Sequence, residues 1–372
     1  MEKLDFLPQD KVIWGRQVLP DAIARLGDYG INKPIVFTVE PLEALKNTYV
    51  EPNLVRGAGT FLDLPPHVPD FAVRKALEAC LQSGAQSIVA LGGGSVLDAA
   101  KAVSHFHYLK SGKYLPIAAL PTTLSGSEFS HYFGITETGG AAKFKRSYAV
   151  RETAPKVVVI DPELVRGTPR ALLLSSAIKG IDHAVEGMRL VGVDHPHAIL
   201  ASSGVTRFLA VLRRWPQNIE TEEALKRRFV KPDDLLQLQL AAWQSYFYPA
   251  SVIYGLSHRI GHILGGTFGL PHSLTSCITL APTIRACSDF YGTKLQIFNS
   301  APSAAEAAQQ LSDAIEDVVI GLGLPRRLRE LDFDRGHLGA VSEMLLKNYP
   351  TEVADLGNDA PAKLDALLER LW

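Results

Sequence analysis

Cysteine is scarce in this 372-residue chain. Cys80, Cys277 and Cys287 have no paired spacing of the kind that builds a zinc knuckle or a disulfide framework, and a reducing compartment fits best. No stretch approaches the ~20 consecutive apolar residues of a membrane span. The opening residues, Met1 to Trp14, mix charged with apolar side chains and carry neither the apolar run nor the cleavage site of a secretory leader. A cytoplasmic location without a membrane partner is therefore expected. Internal repeats and low-complexity tracts are absent as well. So is an excess of one charge: 38 Lys and Arg against 39 Asp and Glu leave a net charge of -1. That balance provides no long-range field for nucleic acid, although it leaves room for a local basic pocket.

What is present is the balance of a globular enzyme, 47% apolar and 21% charged, in a chain long enough for two domains. Short apolar, β-branched runs recur at Pro34 to Val39, Ser87 to Leu91, Pro116 to Leu120 and Lys156 to Ile160, with helix-like stretches such as Asp21 to Leu26 and Asp70 to Ser83 between them. Such alternation predicts a Rossmann-like α/β domain with a mainly parallel sheet. After Asp161-Pro162 the texture becomes helical, with stretches at Ala171 to Leu190, His197 to Arg214 and Pro232 to Tyr246. The reading is an α/β domain over 1–162 and an all-α domain over 163–372. Gly321 to Pro325 has the composition of a turn between helices.

Three segments carry chemistry. In SIVALGGGSVLDAAKAV, residues 87–103, an apolar run meets Gly92, Gly93, Gly94 and Ser95 and then a helix bearing Asp98 and Lys101. Glycines let a phosphate approach the backbone, and the helix N-terminus offers free amides to an anion. A bare strand-to-helix turn would also use glycine, but this one falls at the carboxyl end of a predicted strand, where open α/β sheets bind ligands. IAALPTTLSGSEFS, residues 117–130, crowds Thr122, Thr123, Ser125 and Ser127 at the same sheet edge, as cofactor contacts or as helix N-caps. In GLSHRIGHILGGTFGLPHSLTSC, residues 255–277, His258 and His262 share one helix face and His272 follows after a Gly-rich turn. His183, in KGIDHAVEG, is a candidate fourth member. One such imidazole is commonly a satisfied core side chain; a cluster points to metal binding or proton transfer.

With GGGSVLDAAK, LPTTLSGSE, IDPEL, DHAVEG, the three histidines and LGLPRRLREL in this order, the chain resembles the iron-containing (group III) alcohol dehydrogenases over most of its length. Among their branches it is most similar to maleylacetate reductases, which share the shortened Thr122 to Glu128 loop and the HILGGTFGLPH segment. The resemblance implies the dehydroquinate synthase-like fold, NAD or NADP as cofactor, catalysis in a cleft between the domains, and a homodimer. It places Gly92, Gly93, Gly94 and Ser95 at the pyrophosphate, with Asp98 in the same cofactor-binding segment. Thr122, Thr123 and Ser127 would approach the nicotinamide half, and Lys145 would face the cofactor. The family's metal ligands, an Asp and three His, fall on Lys179, His183, His258 and His272, and His262 matches the residue that relays a proton beside the substrate.

Lys179 is the departure. An ammonium in place of a carboxylate removes a ligand and repels a divalent cation, so a metal is expected to be absent, although His183, His258 and His272 could still form a zinc site. Lys179 could instead act with His258 or His272 as electrophile and proton source for the forming alkoxide and attract an anionic keto acid, or it could be a surface or ion-paired lysine, with Asp182 or Glu186 as partner. The expected activity is an NAD(P)H-dependent, maleylacetate reductase-like reduction of a small carbonyl substrate. A metal-dependent alcohol or polyol dehydrogenase, or a non-redox enzyme or regulator on this scaffold, are the alternatives. Thr38, Val39 and Glu40, closing the first apolar run, include an acid suited to an unphosphorylated ribose.

Overall fold

The computed structural model describes residues 4–139 and 144–372, and for Phe144 and Lys145 the backbone only. The chain forms two compact units. The first is Met1–Thr168 with Pro232–Gln239 and Tyr248–Ser251; the second is Pro169–Lys231, Leu240–Phe247 and Val252–Trp372.

The first unit holds strands β1 (Lys11–Trp14), β2 (Pro34–Phe37), β3 (Gly59–Phe61), β4 (Ser87–Gly92), β5 (Ile117–Pro121), β6 (Tyr132–Glu137), β7 (Phe144–Ala149) and β8 (Val157–Ile160). Six of them make one parallel sheet, ordered β1-β8-β5-β4-β2-β3, while β6 and β7 pair antiparallel on their own. The four central strands are buried along their whole length. They are the four apolar runs of the sequence, as a parallel sheet covered on both faces requires. The edge strands β1 and β3 are half exposed and their mixed sequences, KVIW and GTF, carry no such run. From β2 the chain passes outward to β3, then returns to β4, β5 and β8 on the other side. The strand order thus reverses between β2 and β4, the place where open sheets of this kind take ligands.

Helices α1 (Leu19–Ala24), α2 (Asp70–Ser83), α3 (Gly94–Ser111) and α4 (Pro162–Arg166) belong to this unit. Leu19, Ile23 and Leu26 pack with Val89, Leu91, Leu120 and Val159 in its core. One buried carboxylate starts two of these helices. Asp161 caps α4 through the amide of Glu163 (3.0 Å) and takes the amides of Val18 (2.8 Å) and Leu19 (3.3 Å) at the start of α1, which has no side-chain cap of its own.

The second unit is helical: α5 (Arg170–Glu186), α6 (Pro196–Leu212), the C-terminal part of α7 (Pro232–Ser245), α8 (Leu256–Gly266), α9 (His272–Ala286), α10 (Ala304–Gly321), α11 (Leu338–Asn348) and α12 (Ala360–Leu371). The chain turns after α10 through Gly323, at φ 66°. From Leu173 to Glu186 every residue of α5 is buried, and α5 packs against α6, α8 and α9. A helix enclosed all round normally carries apolar residues only; α5 also encloses Lys179, Asp182, His183 and Glu186. None of the described helices is long and apolar enough to cross a membrane.

Asp161→Ala is expected to lower the unfolding free energy of the first unit by about 2–4 kcal/mol, since it strands three amides at two helix starts. Urea denaturation followed by circular dichroism checks this; a loss below about 0.5 kcal/mol, the level of a neutral surface change, would show that the cap is dispensable.

Candidate active site

The glycine turn and the hydroxyl loop leave the carboxyl ends of neighbouring strands, with Gly92 of β4 in register with Pro121 of β5. The Thr122 amide donates to the Gly92 carbonyl (3.1 Å), and Thr168 Oγ1 donates to the Thr122 carbonyl (2.6 Å). A side chain at Gly92 would collide with Val96 Cγ2 at 2.5 Å, and one at Gly93 with Thr123 Cγ2 at 2.8 Å. Glycine is therefore required for the turn to pack on its own helix and on the hydroxyl loop. No side chain caps α3, so the amides of Gly94 and Ser95 stay available at a helix N-terminus. Those features fit the pyrophosphate of a dinucleotide. Thr122 and Thr123 are buried, and Thr123 Oγ1 lies 3.4 Å from Ser125 Oγ.

Two other expected cofactor contacts are engaged inside the protein. Ser127 Oγ donates to Asp98 Oδ1 (2.7 Å), and Asp98 Oδ2 accepts the Gly134 amide (3.2 Å). Ser127 opens a short 3-10 turn whose N-cap is Gly126, in the left-handed conformation that glycine allows, so Ser127 is not a cap. Lys101, noted in the sequence on the helix after the glycine turn but given no role of its own, is the hub of this region. Fully buried, it donates to Ser127 O (2.6 Å), Ser127 Oγ (2.9 Å) and Tyr132 O (2.9 Å). Burial lowers its pKa to about 8 against the pull of Asp98 and Glu128. Lys145 falls in β7, with its side chain outside the described residues.

In the second unit, the histidines converge. The rings of His183 and His258 lie 5.3 Å apart, those of His258 and His262 4.4 Å, and those of His262 and His272 5.4 Å. Tyr246 stacks on His183 at 4.1 Å and Tyr254 on His258 at 4.8 Å. His183 and His258 are buried; His262 and His272 are half-buried. Lys179 sits among them, with Nζ 2.6 Å from Asp182 Oδ2 and 3.0 Å from His258 Nδ1. The ion pair with Asp182 is as one reading of the sequence had it, but the lysine is buried, so a surface placement does not hold. Ser276 Oγ donates to the same Asp182 oxygen at 2.9 Å.

A lysine can only donate. His258 Nδ1 is then the acceptor, and its proton stands on Nε2. Burial first, then the Lys179 charge, hold the pKa values of His183 and His258 well below the usual range, so both rings are neutral. Two carboxylates on α5 are driven apart. Burial raises Asp182, but the Lys179 charge and the hydrogen bonds from Lys179 and Ser276 outweigh it, and the net shift is downward. Glu186 is pushed up to about 8 by burial and by the Asp182 charge, against hydrogen bonds from Tyr291 OH (2.9 Å) and the His258 amide (3.2 Å).

This donor set does not fit a divalent cation held by one Asp and three His. The carboxylate position carries an ammonium. His258 is withdrawn as well, with one nitrogen engaged by Lys179 and the other protonated. His272 Nδ1 lies 3.3 Å from the Gly261 carbonyl, to which it donates, so its acceptor nitrogen is Nε2. With His183, only two imidazoles remain.

Residues 8–162 match the model of the iron-containing alcohol dehydrogenase family, and residues 211–362 match that of the C-terminal domain of the Fe-containing alcohol dehydrogenases. The chain belongs to the iron-containing alcohol dehydrogenase family. It is 29% identical over 357 residues to a maleylacetate reductase of Pseudomonas aeruginosa, covering 94% of this chain and 93% of that one. To maleylacetate reductase 1 of Cupriavidus pinatubonensis it is 28% identical over 371 residues, 98% and 94% of the two chains. Among solved structures, a putative alcohol dehydrogenase from Ralstonia eutropha JMP134 superposes with a TM-score of 0.82 at 25% identity, over 100% of this chain and 98% of the other. Maleylacetate reductase from Rhizobium sp. strain MTP-10005 shares the fold with a TM-score of 0.77 at 23% identity, over 100% and 99%. Within this family the chain is an oxidoreductase of the CH–OH/C=O class, most similar to maleylacetate reductases.

Tyr254, Ser276 and Tyr291 join the cluster around Lys179 and the histidines without an advance signal of function, and the sequence offers Asp182 and Glu186 only as ion-pair partners of Lys179. For Asp182 and Glu186 a usable one existed: positions 179, 182, 183 and 186 all fall on one face of α5. Because folded Glu186 holds its proton up to about pH 8 and the unfolded chain releases it near 4.5, the folded state binds more protons in between, and stability falls as pH rises through that window. Glu186→Gln mimics the neutral acid, and its melting temperature is expected to decline less than that of the wild type between pH 6 and 9. Parallel declines would contradict the assignment.

Proposed function

We propose that the protein is an NAD(P)H-dependent reductase of a small keto acid, maleylacetate reductase-like, that works without a divalent metal. The observation that carries this reading is Lys179 Nζ held between Asp182 and His258 Nδ1. When bound, the reduced nicotinamide supplies a hydride to the carbonyl carbon. The oxygen then gathers negative charge and needs a proton. His258 donates it from Nε2, and Lys179 passes a proton to Nδ1 as Nε2 loses its own, so the ring stays neutral throughout. A solvent proton delivered through His262, whose ring lies 4.4 Å from that of His258, restores Nε2–H and returns the Nδ1 proton to the lysine.

Asp182 changes one part of the expectation. A carboxylate 2.6 Å from Nζ takes up most of the lysine's field, so Lys179 does not serve to attract a substrate carboxylate. The anionic keto acid as substrate class rests on the maleylacetate reductase relatives alone. A homodimer in the cytoplasm completes the proposal, and sedimentation velocity at micromolar concentration tests the assembly.

Purified protein dialysed against a chelator is expected to retain full NADH-dependent turnover and no stoichiometric metal by mass spectrometry. Lys179→Met is expected to lower kcat by about 10²-fold or more, the scale of a lost general acid. Retained zinc or iron, or wild-type turnover by Lys179→Met, would contradict the reading. For the cofactor, Glu40 is exposed and opens the turn after β2, beside the strand-order reversal, where an acid disfavours a 2′-phosphate. NADH should bind more tightly than NADPH, and Glu40→Ser should narrow the gap; an unchanged ratio of the two Kd values would remove Glu40 from cofactor selection.

A further inference from the structure

Lys101 is buried completely and makes three hydrogen bonds, two to Ser127 at the end of the hydroxyl loop and one to Tyr132 beyond it. Packing alone would not select a lysine here, because an apolar side chain of the same length avoids the cost of desolvating an ammonium. All three of its donors are used: on both oxygens of Ser127 and on the carbonyl of Tyr132. Three residues earlier on α3, Asp98 lies 3.8 Å away and holds Ser127 Oγ and the Gly134 amide. Two side chains from one face of α3 therefore fix the chain between residues 127 and 134. On its other side the loop is fixed to the end of β4, through the Thr122 amide on the Gly92 carbonyl, and Gly126, at φ 82°, makes the turn between these anchors. The hydroxyls of Thr122, Thr123 and Ser125 are thus confined to a short span tied at both ends.

We infer that Lys101 and Asp98 are positioning residues for the cofactor, a clamp beneath the Thr122–Ser127 loop that orders its hydroxyls before the nicotinamide half arrives, rather than residues that touch the nucleotide. The inference rests on the proposed nicotinamide chemistry. Its physical basis is preorganisation: side chains already held in place need not be ordered at the moment of binding. The pyrophosphate, by contrast, meets the glycine turn and the N-terminus of α3, which the clamp does not hold.

Isothermal titration with two probes separates these halves, NADH, which reaches the loop, and ADP-ribose, which lacks the nicotinamide. Lys101→Met is expected to weaken NADH by about tenfold and to leave ADP-ribose within about twofold of the wild type. An equal loss for both probes would reduce Lys101 to a fold-stabilising residue, and no loss for either would remove the clamp. Should Lys101→Met not fold, Asp98→Ala, whose parent side chain is 21% exposed, must show the same split, and equal effects on the two probes overturn the inference there too. Wild-type protein that binds ADP-ribose but neither NADH nor NADPH would overturn the functional reading itself, and the clamp with it.

Discussion

The ion pair between Lys179 and Asp182 inside α5 is the constraint on which the candidate active site depends. A helix enclosed on every side cannot hold an unpaired ammonium, and breaking such a pair costs about 3–5 kcal/mol. Asp182 meets that demand within the same helix, three residues on. The pairing has a second effect: it aims the ammonium at His258 Nδ1, which assigns the tautomer of that ring and turns its other nitrogen into a donor. Charge satisfaction inside the helix and proton placement at the site are thus one arrangement, and a divalent cation at the same place would have to undo it.

The two units use the same device for different ends. In α3 an aspartate precedes a buried lysine by three residues; in α5 a buried lysine precedes an aspartate by three. Both lysines spend their protons on groups that must be ordered. Lys101 orders main-chain carbonyls beneath the hydroxyl loop, and Lys179 orders an imidazole. Glu186 adds a third tie, reaching from α5 to the amide of His258 at the start of α8 and to Tyr291. There Gly255 leaves room for it, because a Cβ would stand 2.8 Å from Glu186 Oε2.

Much of this was legible in the sequence, for reasons that can be stated. The central strands are continuous apolar runs because both sheet faces are covered, and the glycine turn is visible because close approach excludes side chains. The histidine cluster follows from helical spacing. What escaped has physical causes as well. β1 and β3 sit at sheet edges, half exposed, and lack the run that marks a buried strand. The roles of Asp98 and Ser127 depend on Lys101, whose burial and hydrogen-bond partners no local pattern gives. Likewise, spacing placed Lys179 near Asp182, but only the packed helix shows that the partner holds it against His258. Hydrogen-bond partners across elements are a property of tertiary packing, and local pattern does not encode them.

The central claim is that Lys179, anchored by Asp182, occupies the role that a metal ion would take and keeps His258 as the neutral tautomer protonated on Nε2. Nitrogen NMR of histidine-labelled protein reads this state directly, before and during a zinc titration. The account predicts a protonated Nε2 and an acceptor Nδ1 for His258 that stay unchanged as zinc is added. Loss of the Nε2 proton with a metal-bound nitrogen shift would contradict it.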